Sequence, residues 1–419
     1  MKTYLYPANI LLPDFGKVDG TKWASIACDQ YTGQKEYWEA AYSLIAGSPS
    51  TLELMLPEAY LDREDEMTPK INLKMQEYLK DILHERKDSM IYLERTQADG
   101  RVRRGLVACI DLEDYDFAPG SSTLIRATEG TVMERIPPRV AIRKGAVLEM
   151  PHVMILIDDP DRTVIDPIAE QSNRFKVIYD FDLMAGGGHV KGYLADDELI
   201  ESVNLALDKL ASPDEMKKKY GVESPTLLFA IGDGNHSLAT AKVCYEELKA
   251  EIGAEKAMSH PARYALCEIV NLHDTALDFE PIYRAVFGVN EEEFISELEK
   301  YVSSLCGTAN FQSIEVVAGK KSHTVAVPHP SSQLAVGTVQ DFLDKYERSH
   351  AGVTVDYIHG KDAVTELAQK PGTIALIYDG MTKDMLFKTV ICDGALPRKT
   401  FSMGHSDDKR FYLECRRIR

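Results

Sequence analysis

The residues best suited to chemistry stand together in Gly232-Asp233-Gly234-Asn235-His236-Ser237. Glycines let a backbone turn sharply and approach a ligand closely. The pair separates an apolar run, 226–231, introduced by Pro225, from a stretch in which Leu238, Ala241, Tyr245 and Leu248 share one helical face. This pattern predicts a buried strand, a tight turn and the start of a helix. Free amides at a helix start attract anions, so Gly232, Gly234, Asn235 and Ser237 form a natural phosphate seat. Asp233 could hold a metal ion or act as a base. His236, beside the positive end of the helix dipole, is expected in its neutral form, able to accept a proton or to hydrogen-bond a phosphate. A plainer reading stays open, in which Asp233 and Asn235 do no more than cap the helix.

Other candidates are weaker. Asp29, in Cys28-Asp29-Gln30-Tyr31-Thr32, lies between an expected strand, 23–28, and an expected helix, 32–46. An acidic side chain there is placed to enter a cleft at a strand's carboxyl end, or to cap a loop. Arg126, Arg135, Arg139 and Arg143 make 124–144 basic within an acidic chain; Arg126 could bind ligand or pair with Glu129. Gly186-Gly187-Gly188-His189 fits neither dinucleotide nor P-loop spacing and reads as a flexible loop. His273 and the segment Gly404-His405-Ser406 offer isolated histidines, packed or facing the cleft. No set of three or four ligands has zinc spacing, so no transition metal is expected. Cys244 lies about two helical turns beyond the turn, too far for a thiol mechanism there.

These residues need a scaffold, and the sequence outlines one. A single core stops growing at around 250–300 residues, so the 419 residues predict two lobes, 1–288 and 289–419. A hairpin is expected from 90–95 and 103–111 around Asp99-Gly100, with further strands at 153–157, 190–194, 353–358 and 373–378. Helices are expected at 196–210, at 291–305, and from Thr68 with Pro69 in first position. The alternation predicts a mixed α/β fold. A net charge of −18 disfavours a nucleic-acid partner. Seven scattered cysteines without a C-x-x-C pair fit reduced thiols. There is no secretory pattern near Met1 and no apolar stretch of roughly 20 residues, so a cytoplasmic protein without a membrane partner is expected.

The turn resembles the signature Asp-Gly-His-His-Arg of domain of unknown function family 1015, described as ParB/sulfiredoxin-like. Leu124-Ile125-Arg126-Ala127-Thr128-Glu129 resembles that family's arginine–glutamate stretch, and Glu280-Pro281-Ile282-Tyr283-Arg284 its Pro-Thr-His-Arg segment. Leu396-Pro397-Arg398-Lys399-Thr400 is similar to its Pro-Pro-Lys-Ser-Thr segment. These motifs span nearly the whole chain in the family's order. The resemblance implies a ParB/sulfiredoxin-like core with an additional C-terminal α/β lobe, in a group that includes sulfiredoxins, CTP-hydrolysing partition proteins and kinases of free serine.

It further implies a nucleotide, with Mg²⁺ carried on its phosphates, seated on the turn. Asp29 would be the general base, and Arg126 and Lys399 would neutralise charge. Asn235-His236-Ser237 stands where the family has His-His-Arg, so a guanidinium able to clamp phosphate is missing. Arg126, Arg139 or Lys399 would have to replace it. The expected function is a nucleotide-dependent small-molecule kinase or phosphohydrolase. The alternative is a non-enzymatic regulatory module that binds a nucleotide or metabolite. DNA binding of the ParB kind needs a basic reading helix, which the sequence lacks.

Overall fold

The computed structural model describes residues 2–118, 120–223, 225–404 and 408–419; His405 and Ser406 lie outside the described residues. The chain is a mixed α/β protein of two compact units. One comprises Met1–Ala127, Thr131–Leu277 and His405–Arg419, the other Thr128–Gly130 and Asp278–Gly404. Residue 288 thus falls inside the second unit, and the carboxyl-terminal tail belongs to the first.

The first unit is built on a nine-stranded sheet. Its strands, in spatial order, begin at Lys176, His189, Ile91, Val102, Tyr264, Met154, Phe229, Ile125 and Tyr115. Alternate residues of the central strands enter two apolar clusters. Ile91, Leu93, Val107 and Cys109 join one, while Tyr92, Leu106, Ala108 and Ile110 join the other. Side chains along a strand alternate between its faces, so both faces of this sheet are covered. That is why these strands read as continuous apolar runs. Phe229–Asp233 pairs in parallel with Ile125–Ala127 and antiparallel with Met154–Ile157. The triple glycine lies in the connection between Lys176–Asp182 and His189–Leu194, which pair antiparallel, and His189 bonds Asp180 and Asp182 at 2.7 Å each.

A second sheet of this unit sets strand Ala8–Pro13 beside Cys415–Arg417, close to both ends of the chain. Two buried charge networks hold the tail. Arg410 donates to Glu268 at 2.9 Å and to Glu414, Arg103 also donates to Glu268 at 3.2 Å, and Tyr179 donates to Glu414 at 2.6 Å. Arg416 donates to Glu149 at 2.6 Å. Desolvated charges of this kind persist only when paired, so the tail is locked in place.

Two expected elements differ. Residues 23–28 are not one strand: Asp19 caps a short helix, Gly20–Trp23, and only Ser25–Ile26 is extended, paired with Phe411–Tyr412 of the tail. Pro69 does not open its helix but lies inside Glu64–Asp81. The preceding turn Glu58–Arg63 runs directly into that helix, and Glu64, Asp65 and Glu66 supply the negative charge its first turn favours.

The second unit carries a sheet whose strands begin, in order, at Lys321, Gln312, Thr373, Phe279 and Thr354, with Phe401–Met403 paired to Phe279–Phe287. Helices Glu291–Ser303, Ala335–Ser349, Lys361–Leu367 and Lys383–Asp393 belong to the same unit.

Candidate active site

The strand Phe229–Asp233 loses register against Met154–Ile157 between Ile231 and Asp233, so Gly232 is the extra residue that re-aims the chain into the turn. Gly234 takes φ +82° and is the N-cap of helix Asn235–Ile252. Among the described residues no side chain caps that helix, and its first backbone bond runs from Leu238 N to Gly234 O at 3.0 Å. The amides of Asn235, His236 and Ser237 precede this bond. Capping by Asp233 or Asn235 therefore does not occur. Asp233 Oδ1 instead accepts from the Gly234 amide at 2.9 Å, and the buried Asn235 Oδ1 has no partner.

Glycine is required at 234 for space as well as for φ. A Cβ there would meet His152 Cδ2 at 2.8 Å and Val153 Cα at 3.0 Å. The turn thus rests on His152, the centre of a hydrogen-bonded chain. His152 Nε2 lies 3.1 Å from Asp29 Oδ2 and its Nδ1 2.6 Å from the Tyr412 hydroxyl. That hydroxyl donates to Cys28 Sγ at 3.3 Å, and Asp29 Oδ1 accepts from Gln30 at 2.9 Å. Burial alone would neutralise both charges, but each stabilises the other. The imidazolium of His152, with further help from Lys409, holds the Asp29 carboxyl below the ordinary range. Despite its burial, His152 is raised well above an ordinary imidazole, chiefly by Asp29. The pair is ionic at neutral pH.

Two further groups border the turn. Lys409, from the tail, sits 3.2 Å from Asp233 Oδ2. His236 accepts from the Val132 amide at 3.3 Å and is held below the usual imidazole value by burial first, then by Arg139 and Arg135, against the pull of Asp29. The neutral imidazole expected from the helix field is therefore favoured for additional reasons. Arg139 donates to Glu58 and, at 2.7 Å, to the Arg135 carbonyl. An uncapped helix start beside Arg135, Arg139 and Lys409 is an environment receptive to an anion. Behind it lies a cavity of about 180 Å³, whose wall includes Cys28, His152, Tyr412 and Ser237.

Of the residues expected at the site, Asp29, Gly232, Asp233, Gly234, Asn235, His236 and Ser237 come together in the first unit. Arg126 is in that unit too, but it is turned away. It is buried, and its guanidinium donates to the carbonyls of Thr123 at 2.8 Å and Pro225 at 2.9 Å. An arginine bound to backbone carbonyls beside its own strand is a structural brace and not a phosphate clamp. Lys399 is an exposed residue of the second unit with φ +54°. His152, Lys409 and Tyr412 were missed from sequence; the one local hint was a lone histidine directly before the apolar run 153–157.

The second unit explains two of the family-like segments. All five donors of the buried Arg284 are engaged. They reach Gln340, the Ile282 carbonyl at 2.6 Å, and the carbonyls of Arg398 and Lys399 at 2.8 and 2.9 Å. The guanidinium also lies 4.7 Å from the Tyr357 ring centre. Glu280–Arg284 and 396–400 are thus one structural knot. In the same unit, ligand atoms of Glu293, Glu297 and His350 lie within 4.8 Å of one another near the surface, where such groupings are common without an ion.

The fold and this turn define a mixed α/β protein with an uncapped strand–turn–helix at its candidate site. The chain belongs to the family described as protein of unknown function (DUF1015), whose model matches residues 14–349. No curated protein matches it. Among solved structures, a mutant free serine kinase in complex with ADP is 13% identical, over 75% of this chain and 92% of that one, with a TM-score of 0.38. A conserved hypothetical protein from Pyrococcus furiosus is 14% identical, over 71% and 90%, with a TM-score of 0.34. The protein SbnI from Staphylococcus aureus, truncated at its C-terminus, is 11% identical, over 71% and 82%, with a TM-score of 0.33. Among the described residues no helix is long and apolar enough to cross a membrane.

Proposed function

We propose that the first unit binds the phosphates of a nucleotide at the amino end of helix Asn235–Ile252 and transfers a phosphoryl group to a small molecule or to water. The observation that carries this reading is the uncapped helix start, flanked by Arg135, Arg139 and Lys409 and facing an ionised Asp29. Asn235, His236 and Ser237, entered through the turn at Gly232 and Gly234, would present amides to phosphate, and the neutral His236 side chain would hydrogen-bond it. Lys409 and Arg139 take the neutralising part first expected of Arg126. Mg²⁺, arriving on the nucleotide, would neutralise phosphate charge, with Asp233 as the carboxylate offered to it.

Asp29 acts on the acceptor. As the acceptor oxygen bonds to phosphorus and the bond to the leaving diphosphate breaks, the hydroxyl proton passes to the Asp29 carboxylate. A carboxylate held low is a weak base, but phosphoryl transfer asks mainly for positioning and charge stabilisation. His152, fixed by Tyr412, keeps Asp29 ionised and aimed. Ligand binding without turnover is a second reading. It is favoured by Asp233, whose two oxygens are already engaged by Gly234 N and Lys409.

The test is a thermal-shift screen against ATP, ADP, CTP, GTP and AMP with and without Mg²⁺, on the wild type and His236→Ala. A ligand at about 100 times its Kd stabilises the native state by about 2.7 kcal/mol. The expected result is a shift with a triphosphate that the substitution reduces. No shift with any of these nucleotides sinks the proposal; a shift without phosphate release or transfer selects the second reading.

A further inference from the structure

We infer that the cavity behind the turn is the acceptor subsite, and that it takes a small molecule with an apolar body and a single hydroxyl. This rests on the phosphoryl-transfer reading above. The cavity, about 180 Å³, shares its wall with the groups already described. Ser237 of the turn lines it, as do His152, Tyr412 and Cys28 from the chain that ends on Asp29. A hydroxyl at this end lies beside both the proposed phosphate seat and the proposed base.

Elsewhere the wall is mostly apolar, with Leu54, Leu56, Met75 and Ile142 among the contributing side chains. Its other charged members are already matched. Arg139 is bonded to Glu58, and Arg143 to Glu149 at 2.5 Å, while Glu149 also accepts from Arg416 and the Leu266 amide. A ligand polar all round would therefore leave groups unpaired on most of its surface. Size narrows the class further. An apolar cavity of about 150 Å³ accepts benzene, so this one has room for a six-membered ring or branched chain with a short arm. The chemistry selects an apolar alcohol over a sugar, a polyol or a free hydroxy-amino acid.

The probes are benzyl alcohol and glycerol, followed by saturation-transfer NMR on the full-length protein. The variants are Ala146→Leu and, independently, Ala241→Met, which place added side chain in the cavity from two different walls. Each is first checked for a cooperative thermal transition, and each is also tested for the ATP–Mg²⁺ thermal shift. The expected result is saturable binding of benzyl alcohol to the wild type, weakened at least tenfold in both filled variants, with the ATP shift kept and glycerol not bound. Equal benzyl alcohol binding in wild type and variants, no binding at all, or glycerol binding as well as benzyl alcohol overturns the subsite while leaving the nucleotide reading in place. Benzyl alcohol binding without any ATP shift in the wild type overturns the nucleotide reading and the acceptor role with it.

Discussion

The turn at Gly232–Ser237 and the loop at 396–400 use similar material. Each follows or adjoins a sheet strand, each contains a residue at positive φ, and each carries charge. They end in opposite states. Around Arg284 every guanidinium donor has an acceptor, and the loop carbonyls are consumed by it. At Gly234 the helix start is left uncapped and Asn235 Oδ1 is unpartnered. A saturated cluster can only hold structure, whereas one with donors and acceptors to spare can hold a ligand. The contrast separates family-like segments that build the protein from the one proposed to serve it.

The largest effect should come from the saturated side. Arg284→Ala takes the guanidinium away from Gln340 and from the carbonyls of Arg398 and Lys399, while the Ile282 carbonyl keeps the Tyr378 hydroxyl at 2.7 Å. The expected cost is on the order of 2–4 kcal/mol, read as a lower urea midpoint. Below the new transition, the nucleotide-dependent shift should survive. A loss under about 1 kcal/mol would mean that the knot is not what holds the loop. Gly234→Ala should act the other way round. Its φ of +82° costs an L-residue about 1–2 kcal/mol, and its Cβ would push on His152 at 2.8 Å. Stability should fall less than in Arg284→Ala while the nucleotide shift is lost. If the variant keeps full nucleotide affinity, the turn is not the seat.

Much of this was legible in sequence where the signal is local. The apolar run before Gly232 and the helical face after it gave the strand, turn and helix, and the Asp-Gly hairpin at 91–111 is dictated by turn chemistry. Asp29 was legible from its place before a helix. What failed was long-range. His152 and Tyr412 are 260 positions apart, and nothing near either suggests the other. Lys409 reaches Asp233 only because Arg410, Glu414 and Arg416 bury the tail. From residue type Arg126 suits either a ligand phosphate or Glu129; of the carbonyls it binds instead, that of Pro225 is 99 positions away. Residue type indicates what a side chain can bind, but the fold decides what is already bound.

The smallest effect expected is on pH dependence, and it sharpens the comparison because the site holds two imidazoles shifted in opposite directions, whereas the knot around Arg284 holds none. His152 is raised above 6.5 in the folded state. Between pH 6.5 and that higher value the native protein holds a proton that the unfolded chain has lost, so this contribution to stability falls as pH rises. His236 is lowered, so its contribution is present above pH 6.5 and lost as pH falls below it. Asp29, also lowered, from 3.8, adds stability above that value that is lost in more acidic solution. Each group can tilt stability by no more than about 1.4 kcal/mol per pH unit. Urea midpoints from pH 4 to 9 should therefore decline on both sides. Asp29→Asn should flatten the alkaline limb, and His236→Ala the limb just below pH 6.5. Arg284→Ala should shift the whole profile down with its shape kept. An alkaline limb unchanged in Asp29→Asn would show that Asp29 and His152 are not an ion pair, and the argument for an aimed, ionised carboxylate beside the turn would fall with it.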